Sequence, residues 1–430
     1  MPDLAKPKVD LIISGAAEVL TCVSTRGDLL GRRTGVAVAI TGEHIAQVGP
    51  VSDIAEQFDM SHTQQLEARG KIVAPGFVDS HTHLVFGGSR AWEFGAGMTR
   101  TAKEVAALGF PTGIQATVAM TRAAKADALL FDAGSRVEQI FRHGTTTVES
   151  KSGYGLTVEK EIELLRINRL LAARHPVDIV STFLGAHDFP QELSREAYLD
   201  SLIHEMLPQV AAEKLAEFCD VYCDTGYYSV DEARRILEAG LAAGLRPKLH
   251  VDAYSNIGGS ALAEELKVVS ADHLNFTTPA EMRNYAALGI TGVVMPGLDF
   301  AVRHPKPFEA RRMLAEGMSL ALATDLCAGC WLASIQLVIQ LACRLYQFSP
   351  EEALLAATVG GAKALGLDHD RGSIAQGKLA DLQIWNIPTF EDLVYRIGNN
   401  AVETVIKKGI IYRVSEDTAH DRADRRCLDD

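Results

Sequence analysis

Short apolar runs alternate with helical stretches along the central part of the chain. Eight of these runs are rich in β-branched residues and indicate buried strands: 72–79, 145–149, 178–183, 220–222, 248–251, 268–272, 292–295 and 319–324. The stretches between them carry apolar residues at helical spacing, for example at 126–141 and 158–174. Strands that alternate with helices form parallel sheets, and eight such strands close a barrel. We therefore predict an α/β protein built on a (β/α)8 TIM barrel.

The two ends of the chain have a different pattern, in which short apolar runs are separated by tight turns. These runs are 9–13, 36–40, 45–49, 377–385 and 402–409. We predict that the N- and C-terminal segments together form one small β-sandwich domain. Residues 1–70 would be its N-terminal part, 71–372 the barrel, and 373–430 its C-terminal part with a polar tail.

Composition narrows the class of protein. The chain has 430 residues, of which 47% are hydrophobic and 23% charged, as in ordinary globular proteins. Its net charge is −13 and no basic block stands out, so we expect no nucleic-acid partner. The chain contains no apolar run of the roughly 18 residues that span a membrane, and no N-terminal signal-like segment. Seven cysteines, an odd number, favour free thiols and a cytoplasmic location.

Candidate chemistry lies at the ends of the predicted barrel strands. Five of the thirteen histidines fall at or just beyond such ends, and an aspartate follows the eighth strand: His81, His83, His187, His250, His273 and Asp325. His81 and His83 are two residues apart, so on a strand they point to the same face. The C-terminal ends of barrel strands are where TIM-barrel enzymes carry their active sites. Any one histidine could be a hydrogen-bonded core residue, but six convergent groups favour a metal site.

Zinc and iron both bind neutral imidazole and keep an open position in catalytic sites. We therefore expect four residues to hold one metal ion, zinc or alternatively iron: His81, His83, His250 and Asp325. His187 and His273 would then lie beside the ion or contact the substrate.

Several segments resemble a known family. The first predicted strand and its end, 73–83, are similar to the corresponding strand of the amidohydrolase superfamily, and 379–382 fits its composite sandwich. Within that superfamily the chain is closest to imidazolonepropionase. The segments that carry this closer similarity are 83–90, 144–147, 151–156, 176–187 and 270–274.

The resemblance implies a metal-dependent hydrolase that opens a five-membered cyclic amide or amidine carrying a propionate side chain. His273 would position or deprotonate the attacking water, and Asp325 would also be catalytic. Arg90 would pair with the substrate carboxylate, for which a guanidinium is well suited. Tyr154 and His187 would contact the ring or its side chain.

The resemblance also bears on the number of metal ions and of subunits. Binuclear relatives bridge two ions with a modified lysine at the end of strand four. Residues 222–226 contain no lysine, so a mononuclear site is favoured. The partner we expect is a small carboxylated heterocyclic substrate, and a homodimer is usual for such barrels.

Two positions depart from the family pattern. Ala253 replaces the glutamate that follows the strand-five metal histidine by three residues, and Cys327 lies where the family has an asparagine after the strand-eight aspartate. Both would contact the substrate ring, so we expect the same reaction class on an altered ring. Alternatively, Cys327 and Cys330 are small apolar fillers. Trp331 could line or cap the pocket.

Two alternatives to ring opening remain, and the two departures favour the first of them. The same machinery could hydrolyse the ring C2 substituent of an imidazolone or thiohydantoin propionate, releasing hydrogen sulfide or ammonia with the ring intact, as in ergothioneine-type catabolism. An inactive scaffold belongs to another class. Such scaffolds typically lose metal ligands, whereas all four are present in this sequence.

Overall fold

The computed structural model describes residues 6–109 and 111–414. Eight parallel strands, here called barrel strands one to eight, form its central sheet and pair in chain order. Their bounds are Phe77–Asp79, Thr145–Lys151, Asp178–Ala186, Phe218–Cys223, Leu249–Val251, Ser270–His273, Thr291–Val294 and Leu320–Leu322. A short strand, Arg246–Pro247, also pairs with barrel strand four. All eight predicted strands are present, which confirms the predicted barrel.

The barrel closes where strands one and eight meet. Thr82 and Leu326 form a parallel bridge just beyond the two strands. The Asp325 amide donates to the His81 carbonyl at 3.0 Å, and the His83 amide donates to the Leu326 carbonyl at 2.9 Å. The closure therefore fixes the backbone of three predicted metal ligands against one another.

Helices surround the barrel strands. The α-helices in this part of the chain are Ala91–Gly97, Ala102–Ala106, Gly113–Ala123, Ala126–Arg142, Val158–Arg174, Arg195–Ser201, Leu207–Glu213, Val230–Ala242, Gly259–Leu266, Pro279–Leu288, Pro296–Val302, Ala310–Ala315, Ile335–Leu345, Pro350–Leu355 and Gly361–Ala364. Two π-helical turns, Leu202–Met206 and Ala356–Gly360, continue helices of this set.

The apolar spacing of the sequence explains how these helices pack. Helix Ala126–Arg142 buries Leu129, Ala133, Val137 and Ile140, which are three or four residues apart and lie on one helical face. Helix Val158–Arg174 has the predicted bounds. Its N-cap residue is Thr157, whose hydroxyl accepts a hydrogen bond from the Lys160 amide.

Two further sheets come from the ends of the chain. The first contains His44–Gly49, Ala37–Thr41, Leu11–Ser14 and Gln64–Glu67, and the second contains Ile410–Arg413, Val402–Lys407, Leu382–Trp385, Ile72–Pro75, Glu18–Leu20 and Arg32–Arg33. Helices Val51–Gln57 and Glu391–Tyr395 lie in the same terminal regions. Apolar residues from both sheets, among them Ile13, Ile40, Val73 and Leu382, form one buried cluster. The predicted pairing of the N- and C-terminal segments is therefore present.

One predicted strand, 72–79, is divided between two sheets. Ile72–Pro75 pairs with Leu382–Trp385 in the second of the two terminal sheets, whereas Phe77–Asp79 is barrel strand one. The change occurs at Gly76, where a Cβ would stand 2.3 Å from the Thr146 hydroxyl. The uninterrupted apolar run hid this change, because both halves of the run are buried.

Several sequence predictions reach beyond the described residues or beyond a single chain. The polar tail, 415–430, lies outside the described residues. In 6–109 and 111–414, no helix is long and apolar enough to cross a membrane. The domain boundaries at 71 and 372, the homodimer and the cytoplasmic location stay predictions.

Candidate metal centre

The five histidines expected from the sequence gather at the C-terminal ends of the barrel strands. The ring centres of His81 and His250 are 4.6 Å apart, and those of His250 and His273 are 5.1 Å apart. The ring of His83 stacks on that of His187 at 4.9 Å. Four of these side chains are buried and His273 is partly exposed.

Side-chain atoms that could bind a metal form two close groups, which share His81. Those of His81, His83 and Asp325 lie within 4.8 Å of one another, as do those of His81, His250 and His273. Asp325 Oδ1 is 3.8 Å from His81 Nε2 and 3.9 Å from His83 Nε2. The four residues predicted to bind metal therefore fall into two sets that share His81.

Buried atoms without partners are a second feature of this candidate metal centre. His81 Nε2, His250 Nε2 and Asp325 Oδ1 are buried and have no hydrogen-bond partner among the described residues. Buried polar atoms in proteins almost always have partners. Two imidazole nitrogens and a carboxylate oxygen form a donor set that fits zinc or iron.

Two aspartates that the sequence reasoning missed orient the histidines. His81 Nδ1 is 2.6 Å from Asp272 Oδ2, and His250 Nδ1 is 3.1 Å from Asp220 Oδ2. Both aspartates are fully buried, on barrel strands six and four. A carboxylate beside Nδ1 favours the tautomer and ring orientation that leave Nε2 free for a metal.

Burial sets the protonation of the metal-facing groups. It holds the pKa of His81, His83 and His273 well below the ordinary value for histidine, so these imidazoles are neutral near pH 7. Burial also raises the pKa of Asp325 to about 6. Neutral imidazole is the form that binds metal.

A buried group of charged residues supports the two aspartates. We call it the charge layer: Glu149, Lys151, Asp220, Lys248 and Asp272, each at most 1% exposed. Lys151 Nζ lies 2.7 Å from Asp220 Oδ2, 3.3 Å from Asp272 Oδ2 and 3.0 Å from Glu149 Oε1. Lys248 Nζ lies 2.8 Å from the same Glu149 oxygen.

A local signal for part of the charge layer exists in the sequence. Glu149 and Lys151 are two residues apart on barrel strand two, so both point into the barrel. Two inward charges of opposite sign on a buried strand indicate a buried ion pair.

Arg90 already has a partner in the protein. Its Nε and Nη2 donate to the two Glu93 oxygens at 2.8 and 2.7 Å, and Glu93 also accepts from the Gly113 amide. Arg90 Nη1 lies 3.2 Å from where a Cβ on Gly329 would stand, so it faces the loop after barrel strand eight. The sequence reasoning missed Glu93, which leaves only the Nη1 side of Arg90 for a substrate carboxylate.

The remaining predicted contacts surround the same pocket. The Tyr154 ring lies 5.1 Å from His83 and 5.2 Å from His187, and His187 Nδ1 donates to the Gly153 carbonyl at 3.2 Å. Burial raises the pKa of Tyr154 well above its ordinary value, and the nearby Cys327 adds to the shift. Ala253 is buried two residues beyond barrel strand five.

The two cysteines of the strand-eight loop are buried free thiols. Cys327 and Cys330 exchange backbone hydrogen bonds of 3.0 and 3.3 Å, which closes the loop after Asp325. Burial raises the pKa of the Cys327 thiol, so it is protonated near pH 7. Trp331 is half exposed and its ring packs edge-on against Phe86, 5.6 Å away.

Comparison with known proteins gives relatives that cover almost the whole chain. Residues 194–411 match the model of the amidohydrolase family. An imidazolonepropionase of Symbiobacterium thermophilum is 42% identical over 93% of this chain and 96% of its own length. Imidazolonepropionases of Geobacillus kaustophilus and Halobacterium salinarum are 43% and 38% identical, over 87% and 94% of this chain and 89% and 98% of their own.

Solved structures show the same fold at lower identity. A zinc-bound adenosine deaminase from Xanthomonas campestris has a TM-score of 0.73 at 20% identity, over 99% of this chain and 98% of that one. A triazine hydrolase variant has a TM-score of 0.73 at 16% identity, over 98% and 99%.

Proposed function

Because the chain belongs to the amidohydrolase family and to its imidazolonepropionase branch, we propose that it opens the ring of imidazolonepropionate with one bound metal ion. The chain is a hydrolase of cyclic amide C–N bonds. The observation that carries the finer proposal is the convergence of His81 Nε2, His250 Nε2 and Asp325 Oδ1 without protein partners.

We infer that His81, His83, His250 and Asp325 hold this ion, zinc or alternatively iron. When bound, such an ion lowers the pKa of water and polarises the carbon that is attacked. The charges of the site support a single divalent ion. Four buried carboxylates, Asp325 and the three of the charge layer, face only the ammonium groups of Lys151 and Lys248. One divalent ion would balance them.

The chain's own residues would bind the substrate from both ends. Arg90, held in place by Glu93, presents Nη1 to the propionate carboxylate. Tyr154 and His187 lie beside His83, where they would contact the ring. Holding the substrate at both ends places the scissile C–N bond next to the catalytic groups, which lowers the entropy cost of reaction.

Proton transfer falls to the groups beside the metal position. Desolvation of its ring holds the pKa of His273 well below the ordinary value, so the neutral imidazole can take a proton from the attacking water. It can then return the proton to the ring nitrogen as the C–N bond breaks, giving formiminoglutamate. Asp325 is a second acceptor within the same group of ligands.

Relatives named imidazolonepropionase favour ring opening over release of a C2 substituent. We infer that Ala253 and Cys327 adjust the fit of the ring without changing the bond that is cleaved. Neither side chain is charged near pH 7, so neither replaces a proton carrier.

Mass spectrometry of two parallel reactions tests the proposal. Zinc-loaded protein is incubated with imidazolonepropionate and, separately, with its 2-thioxo analogue. The expected result is the addition of one water to imidazolonepropionate with ring opening, and little turnover of the analogue. Release of hydrogen sulfide from the analogue with imidazolonepropionate unchanged would contradict the proposal. Ala253→Glu is the matched variant that tests ring fit, since it alters the pocket and leaves the metal ligands intact.

A further inference from the structure

The ammonium group of Lys151 lies among three carboxylates, in a place that resembles a metal site. Its Nζ is 2.7, 3.0 and 3.3 Å from oxygens of Asp220, Glu149 and Asp272. The side chain is fully buried and comes from the last residue of barrel strand two. These carboxylates come from three other positions on the inner wall of the barrel.

The residues around this ammonium group are competent to bind a metal without it. Ligand atoms of Asp220, His250 and Asp272 lie within 4.8 Å of one another, and all three side chains are buried. Glu149 Oε2 is also buried and lacks a hydrogen-bond partner among the described residues. A carboxylate-rich set of this kind suits a hard divalent ion such as Mn²⁺.

We propose that Lys151 acts as a built-in cation that occupies a second metal position and so keeps the centre mononuclear. The inference rests on the proposed single-ion centre at His81, His83, His250 and Asp325. It assigns a specificity role to Lys151, which would determine how many ions the protein binds.

The geometry supports an exchange of one cation for another. Divalent ions bind carboxylate oxygens at about 2.0–2.6 Å, so the observed 2.7–3.3 Å would have to shorten by roughly 0.1 to 1.3 Å. An ammonium group carries three N–H donors, one for each carboxylate. Burial acts to lower the pKa of Lys151, but Asp220, Glu149 and Asp272 outweigh it and raise the pKa. The lysine therefore stays charged.

Lys248 provides a matched control in the same charge layer. It is fully buried and its Nζ contacts the same Glu149 oxygen at 2.8 Å. Its other hydrogen bond goes to the Ser80 carbonyl at 3.4 Å, rather than to Asp220. Removing Lys248 also subtracts one buried positive charge, but it leaves Lys151 among the three carboxylates.

Metal counting on three proteins tests the proposal. Wild type, Lys151→Ala and Lys248→Ala are loaded with zinc, dialysed, and titrated with Mn²⁺ while bound manganese is followed by electron paramagnetic resonance. In wild type and in Lys248→Ala we expect one zinc and no manganese per chain, which is one ion in total. In Lys151→Ala we expect one zinc and one manganese, which is two ions in total. Two ions in wild type, one ion in folded Lys151→Ala, or two ions in both variants would each overturn the proposal.

Folding provides a second readout. If Lys151→Ala is unfolded without a second ion, Mn²⁺ should restore its folded circular dichroism and raise its melting temperature, whereas Lys248→Ala should not respond. Failure of Mn²⁺ to restore a misfolded Lys151→Ala would contradict the proposal. Failure of the proposed function would look different, because wild type would then bind no zinc at all.

Discussion

The described residues include two groups of charged side chains that differ in how deeply they are buried and in how fully they are paired. The charge layer supports the candidate metal centre. A second group, here called the barrel–sandwich cluster, joins barrel strand three to the small sheet. It consists of Asp178, Asp370, Arg371, Asp381, Lys407 and Lys408. Lys407 Nζ lies 2.8 Å from Asp178 and 2.6 Å from Asp381, while Arg371 lies 2.9 Å from Asp178.

The difference separates a structural role from a functional one. In the barrel–sandwich cluster three carboxylates face three cations, and none of its charged atoms is buried without a partner. At the candidate centre, four carboxylates face two cations, and atoms of Asp325, His81 and His250 are left without partners. Unpaired buried charge is costly, so its retention indicates a ligand.

The largest expected effect comes from removing the unpaired carboxylate. Asp325→Asn should lower kcat/KM at least about a thousandfold, or about 4 kcal/mol of transition-state stabilisation, because the metal loses a charged ligand. The metal-free protein should keep nearly all of its stability, since Asp325 Oδ1 has no hydrogen-bond partner among the described residues and an asparagine can keep the contact with Cys327. Kinetics and urea unfolding of the metal-free protein measure both. An equal loss of stability would show that Asp325 is a structural charge.

A smaller effect is expected at the carboxylate-binding end of the pocket. Arg90→Ala should raise KM about 10- to 150-fold, because a charged hydrogen bond to the substrate is worth roughly 1.5–3 kcal/mol. The bound-metal content should not change. Steady-state kinetics with imidazolonepropionate and with its carboxamide analogue show whether Arg90 binds the substrate carboxylate. The analogue should show almost no change, and an unchanged KM for the carboxylate would exclude this role for Arg90.

The orienting aspartates should matter mainly for metal affinity. Asp272→Asn weakens the support of His81 Nδ1 and should lower zinc affinity about 10- to 100-fold. Competition with a chromophoric chelator measures the dissociation constant. A zinc affinity equal to wild type would mean that His81 is held by the barrel alone.

The smallest effect is expected in the paired cluster. Asp178→Asn should cost about 1–2 kcal/mol of unfolding free energy, since Asp178 is only partly buried, and should leave kcat unchanged. Burial opposes ionisation of Asp178, but Lys407 and Arg371 lower its pKa below the ordinary value. Its contribution is therefore present above about pH 4 and disappears as the pH falls through the lowered pKa. Urea unfolding across that range should show the two proteins converging in acid.

The sequence predicted the barrel because strand and helix periodicities are local. It also placed His81, His83, His250, His273 and Asp325 at one edge, since parallel strands bring their ends together. The roles of Asp220 and Asp272 were missed although both residues lie within predicted strands. Their partners come from other strands, so no local spacing reveals them. Glu93 was missed although it is close to Arg90 in the sequence. Charged pairs three residues apart are common on exposed helices, so this pair did not stand out.

The central claim is that one metal ion makes this chain a ring-opening hydrolase. The most direct test is to strip the protein with a chelator and add zinc back stepwise while measuring formiminoglutamate formed from imidazolonepropionate. We expect no product without metal, and activity that rises in proportion to zinc and levels off at one ion per chain. Ring opening by the stripped protein, or no product from protein that holds one zinc per chain, would contradict it.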